Sequence, residues 1–167
     1  VRTKDRSVTL ENSWDAESEK ALKRQLRYRL MWMDTKYEPG TVKVVAYNEA
    51  GEAVAEREVT TAGKPHHIEL SIDRDTVEAN GKDLAFVTVS VVDKDGNLCP
   101  NADHLIHFST KGEGQFLAAA NGDAANLDLF HLPKHHAFSG ELTAIIKGNC
   151  TLTATAKGLK KAIITIE

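Results

Sequence analysis

Aromatic side chains are scarce in this chain, at 6% of its residues. The exposed aromatic row with which a sugar-binding surface stacks on pyranose rings is therefore hard to assemble from it. Cysteine is scarcer still. Cys99 and Cys150 are too few to form a disulfide framework, and they leave the redox compartment open. No apolar run approaches the roughly 18–20 residues of a membrane-crossing helix. An excess of basic charge is also lacking. The net charge is −3 and the sequence pI about 6.2, which argues against a nucleic-acid binder, since that needs a basic face. No signal peptide is visible, and the first residue is Val1 in place of a methionine, which suggests a processed or excised fragment.

What is present is strand pattern. With 41% hydrophobic and 27% charged residues, 167 residues suffice for one ordinary domain or two small ones. From Lys64 onwards the signal is strong. Ile68, Leu70 and Ile72 alternate, and Leu84–Val92 is rich in β-branched residues, with Ala85, Val87, Val89 and Val91 predicted to face a core. Further strands are expected at Leu105–Ser109, Gly114–Ala119, Glu141–Ile146, Cys150–Ala156 and Lys161–Glu167, separated by Gly- and Asn-rich turns. About seven short strands at this spacing predict an all-β, immunoglobulin-like Greek-key β-sandwich.

The N-terminal third reads differently. Trp14–Gln25 suggests a helical turn capped by Asp15, followed by strands at Arg27–Met33, Thr41–Tyr47 and Ala53–Thr60. Such a three-stranded meander leaves one apolar face open, so it either docks on its neighbour or belongs to a smaller, truncated β-sandwich module. Thr61-Ala62-Gly63-Lys64-Pro65 marks the boundary, giving residues 1–63 and 64–167 as the two modules.

Three stretches carry a family resemblance. Trp32, then Tyr37-Glu38-Pro39-Gly40-Thr41 through Tyr47, with the Thr60–Gly63 exit, resembles a small module of glycoside hydrolase family 2. Ile68–Arg74, Leu84–Val92 and Asp95-Gly96-Asn97 are similar to the opening of the last immunoglobulin-like module of those enzymes. Ala120-Asn121-Gly122-Asp123, Phe130 and Ala137-Phe138-Ser139-Gly140 resemble that module's later pattern. The matches run in order over nearly the whole chain. The resemblance implies a C-terminal accessory region of a bacterial, periplasmic or secreted β-galactosidase-like enzyme. The catalytic barrel and N-terminal domains of the parent would then be its partners, and no catalytic residue would lie within it. The opening strand of the family's first module has no counterpart here.

The search for chemistry agrees. Retaining glycosidases hold two carboxylates about 5 Å apart, whereas the acidic residues here fall in turns, such as Asp93, Asp95 and Glu113, or on alternating strand faces. They read as solvated surface groups. No nucleophile elbow or phosphate loop is present. His66 and His67 are expected on opposite strand faces, as are His104 and His107, while His131, His135 and His136 share a loop. No metal or cofactor is assigned. Cys99 and Cys150 are placed at opposite ends of strands spanning roughly 20 Å, beyond the reach of a disulfide, so both are expected as free thiols. The long segment 121–140 is read as a structural loop: Asn121, Gly122 and Asp123 make the turn, and Phe130 and Phe138, with Leu127, Leu129 and Leu132, plug the sandwich end, before Gly140 closes the loop. Carbohydrate binding is the alternative function, with Trp14, Trp32 and Tyr37 as candidate sugar contacts. A surface-adhesion sandwich is the third reading.

Overall fold

Valine and isoleucine at every second position dictate extended backbone, and in the computed structural model the described residues (36–74, 76 and 83–167) form ten strands and no helix. These are β1 (Thr41–Tyr47), β2 (Ala53–Thr60), β3 (His67–Ile72), β4 (Leu84–Val92), β5 (Leu105–Gly112), β6 (Gln115–Ala120), β7 (Lys134–His136), β8 (Glu141–Lys147), β9 (Cys150–Thr155) and β10 (Ala162–Ile166). The expected helical turn at 14–25 and strand at 27–33, with Trp14 and Trp32, lie outside the described residues.

β3 to β10 form a sandwich of two four-stranded sheets, ordered β3-β4-β8-β6 and β10-β9-β5-β7. Seven of these strands reproduce the immunoglobulin constant-type division into four and three, and β7 is added beside β5. β4 pairs with β3 on one side and β8 on the other, both antiparallel. Because side chains alternate, one register places Ala85, Val87, Val89 and Val91 inside, and all four are fully buried. They meet Ile106, Phe108, Ile146, Leu152, Ala154 and Ile166 in one continuous core. Each buried aliphatic side chain of this size contributes about 1.5–3 kcal/mol relative to exposure.

The β1–β2 hairpin belongs to the same compact unit, Pro39–Glu167. Asn48 builds its turn: the Oδ1 accepts from the amides of Ala50 and Glu52 at 3.0 and 2.9 Å. Thr61 N donates to Gly40 O at 2.8 Å and closes the hairpin's open end. Val42 pairs with Val59 and both remain exposed, so this two-stranded ribbon keeps an apolar face.

β7 was not expected. It lies inside the segment read as loop, and its parity decides which side chains point inward. His135 and Ala137 are buried, whereas His136 and Phe138 face out. The expected plug is therefore corrected. Phe138 is 46% exposed, Phe130 60%, Leu129 57% and Leu127 94%, and the inward positions belong to His135 and Ala137. Three residues of strand give too short a pattern for periodicity to register, yet they are enough to set the alternation.

Candidate functional site

The functional chemistry of the described residues gathers in the β4–β5 turn, the 121–140 segment and the outer face of the β3-β4-β8-β6 sheet. In the turn, Asp93 follows β4 and is buried, contrary to its reading as a solvated carboxylate. Its Oδ1 accepts from the amides of Asp95 and Asn97, both at 2.9 Å, and its Oδ2 accepts from Gly63 N at 2.7 Å. The Asn97 side-chain amide adds a donor at 3.1 Å. The Gly63 amide, then the Asn97 amide, hold the Asp93 carboxyl far below the usual carboxylate range. One side chain thereby ties the connection after β2 to the turn that follows β4. Cys99 lies beside it, with Sγ 3.7 Å from Gly63 O, and burial pushes its thiol pKa up, with the Asp93 charge adding to the effect.

In the 121–140 segment the anchor is Asp128. Its Oδ2 accepts from His136 N at 2.8 Å and lies 2.7 Å from His136 Nδ1. The His136 amide, then the His136 ring, lower the Asp128 pKa. Asn121 Nδ2 donates to His136 O at 2.8 Å, so both ends of the segment meet at one residue. His135 is fully buried, its Nδ1 lies 3.1 Å from His136 O, and its ring stacks on Phe130 with centroids 6.1 Å apart and 6° between planes. His135 therefore serves the core, while His131 and His136 are exposed, so the three do not share a surface. His66 and His67 do meet, with Nδ1 atoms 3.0 Å apart, because β3 begins only at His67 and strand alternation does not govern His66. Among the described residues no group of three or more His, Cys, Asp or Glu is arranged to hold a metal ion.

The loop's closing turn is unusual. Phe138 N donates to Glu141 O at 2.9 Å and Glu141 N returns to Phe138 O at 3.1 Å. Between them Ser139 and Gly140 both adopt positive φ, 53° and 84°. Two consecutive residues of this kind make the tight turn whose twist suits a β-hairpin. It sets Phe138 and Glu141 at the rim of a shallow groove of about 540 Å³, lined also by Thr88, Asn121, Gly122 and Thr143. Ser90 Oγ donates to Glu141 Oε1 at 3.1 Å. Gly122 lies against one edge of the Phe138 ring, where an added Cβ would sit 3.7 Å from Cδ1. The groove offers a half-exposed ring, two threonine hydroxyls and a carboxylate, while the Asn121 amide is engaged with His136 O and Asp123 N. Tyr37, a candidate sugar contact from the sequence, is exposed and does not line it.

Every described carboxylate whose pKa shifts moves downward: Asp73, held first by the Phe86 amide, Asp93 and Asp128. The thiols are both free, as the strand-end argument predicted, and both are buried; desolvation raises the Cys150 pKa as well.

Comparison with known proteins fits this arrangement. Residues 68–165 match the family described as glycoside hydrolase family 2 C-terminal domain 5, and residues 12–55 match a domain of unknown function, DUF4982. The chain is 46% identical over 136 residues to the beta-galactosidase BoGH2A of Bacteroides ovatus, covering 78% of this chain and 16% of that protein. Among solved structures, a glycosyl hydrolase family 2 member from Bacteroides cellulosilyticus superposes with a TM-score of 0.71 at 30% identity, over 78% of this chain and 19% of that one. A beta-glycosidase from Bacteroides vulgatus gives a TM-score of 0.74 at 25% identity, over 78% and 18%. The chain thus spans about a sixth of the length of the B. ovatus relative. A family match over most of the sandwich, in a chain whose strands reproduce the immunoglobulin order, places this protein in glycoside hydrolase family 2, at that family's C-terminal domain 5.

Proposed function

We propose that this chain is a non-catalytic accessory region that buttresses the catalytic domain of a bacterial, periplasmic or secreted glycosidase. On this reading residues 1–63 are part of a smaller, truncated β-sandwich module, and residues 64–167 are the immunoglobulin-like one. The parent enzyme hydrolyses β-galactosides or related glycans with retention, using a carboxylate pair supplied by a domain outside this chain. Its catalytic and N-terminal domains are the partners of these modules. The observation that carries this reading is the use made of the polar groups. Asp93, Asp128 and His136 are spent on backbone amides and on each other, in positions that fix loops and joints.

The test is hydrolysis of 4-nitrophenyl β-D-galactoside. The isolated chain is expected to give no turnover above buffer, and the full-length enzyme to give saturable turnover. Turnover by the isolated chain that disappears with Glu141→Gln would refute the non-catalytic reading. A second reading, carbohydrate binding, has one observation in its favour: the groove beside Phe138, with its hydroxyl and carboxylate rim. Retardation of the chain in polysaccharide affinity gels, lost in Phe138→Ala, would establish it, and unchanged mobility would remove it.

A further inference from the structure

The segment between β6 and β7 is a rigid knob that exposes apolar side chains. Leu127, Leu129 and Phe130 are 94%, 57% and 60% exposed, three large apolar groups within four residues. Such a cluster on a floppy loop would mean little. This loop is braced throughout. Asp123 N donates to Asn121 Oδ1 at 3.0 Å, Ala125 N to Asp123 Oδ1 at 2.9 Å and Asp128 N to Asn126 Oδ1 at 2.6 Å. Ala119 N donates to Phe130 O at 2.8 Å, stitching the segment to β6, and Asp128 fastens it to β7 through His136. The bracing removes the conformational entropy that binding would otherwise have to remove, so the leucines are presented ready-made.

The chemistry of the knob narrows its partner. Residues 121–133 contain Asp123, Asp128 and His131 but no Lys or Arg, so an anionic membrane or a nucleic acid is disfavoured. Leucines offer no hydrogen bond to a sugar hydroxyl. What fits is an apolar pocket in a protein. The contact is also small. Three side chains cover at most a few hundred Å², well under the roughly 800 Å² per partner of a stable complex between free proteins. Such a contact is effective where the partner is tethered, because linkage raises its effective concentration to about the millimolar range. The tether is at hand in the family, since BoGH2A is about six times longer than its matched stretch.

We propose that Leu127, Leu129 and Phe130 form the docking knob by which this module seats, in cis, in an apolar pocket of another domain of the parent enzyme. This rests on the accessory reading above. The test is carbene footprinting with mass spectrometry, on this chain and on the full-length enzyme. Labelling of Leu127 is expected to fall at least tenfold in the full-length enzyme relative to the chain alone. Leu127→Ser/Leu129→Ser is expected to leave the melting temperature of the chain unchanged and to restore labelling at Phe130 in the full-length enzyme. Equal labelling of Leu127 in both proteins overturns the proposal. So does protection that already arises in the chain alone and grows with concentration, since a second copy would then be the occupant. The two readings fail separately. A full-length protein without glycosidase activity removes the functional reading while Leu127 protection still reports the contact. An active enzyme with Leu127 unprotected removes only the knob.

Discussion

Gly140 allows the sharpest test of the turn that closes the loop. Its φ of 84° lies in the left-handed region, where an L-residue costs about 1–2 kcal/mol. That cost is not special to it, because Gly158, with φ of 82°, would incur the same. The two differ in their surroundings. A Cβ on Gly158 meets nothing within 4 Å, whereas a Cβ on Gly140 would stand 2.5 Å from the carbonyl oxygen of Cys99 and 3.0 Å from Leu98 Cδ1. The oxygen cannot swing aside freely. Cys99 O accepts from Ala102 N at 3.0 Å, and Cys99 N donates to Val91 O at 2.9 Å. Gly140 itself bonds both neighbours, accepting from Val91 N at 2.8 Å and donating to Ala102 O at 3.0 Å. Relief of the overlap therefore requires backbone movement, at the cost of overpacking, about 1–3 kcal/mol. Gly158→Ala should lower stability by about 1–2 kcal/mol and Gly140→Ala by about 2–5 kcal/mol. Urea unfolding of both variants, followed by circular dichroism at constant m, reads the difference directly. In melting temperature, each kcal/mol is about 2–4 °C for a chain of this size. Equal losses in the two variants would refute the argument, since the Cys99 carbonyl would then not be pressing on position 140.

Phe138→Ala is expected to lower stability by about 1.5–2.5 kcal/mol, half the cost of deleting a buried Phe, because its ring is 46% exposed; a loss above about 4 kcal/mol in urea unfolding would show that the ring is fully covered. Leu152→Ala, in the middle of β9 and fully buried, should lower it by about 2–5 kcal/mol by the same measurement, and a smaller loss would mean the core collapses around the deletion. Asp93 has a folded pKa below its unfolded value of about 3.9. Its contribution is therefore complete above that value and is lost as pH falls towards the folded one. Urea midpoints between about pH 5 and pH 2 should fall less steeply in Asp93→Asn than in the parent chain, and parallel curves would contradict the clamp. Both thiols should resist Ellman's reagent at pH 8 until urea unfolds the chain, and intact mass should be the same before and after reduction; prompt reaction of either would contradict burial.

The strands and their inward faces were readable in the sequence because a sheet buried on one side imposes a period of two. β1, β2 and β4 begin and end at the expected residues, and the valines of β4 are inside. The free thiols followed from strand order alone, since Cys99 and Cys150 stand at opposite strand ends whatever the packing details. The family pattern around Asn121-Gly122-Asp123 and Phe138-Ser139-Gly140 was legible because its turns demand particular residues.

What tertiary structure alone decided was the assignment of the 121–140 segment and of Asp93. β7 has three residues, too few for a pattern, and it exists because β5 offers it an edge; that pairing turns His135 inward and Phe138 outward. Asp93 looks like any acidic turn residue until Gly63, thirty positions earlier, is brought within hydrogen-bond distance. Periodicity reports which face of a strand is buried, and it does so from neighbours in sequence. A side chain whose partners lie far along the chain leaves no such local mark, and the Asp93 clamp is of that kind.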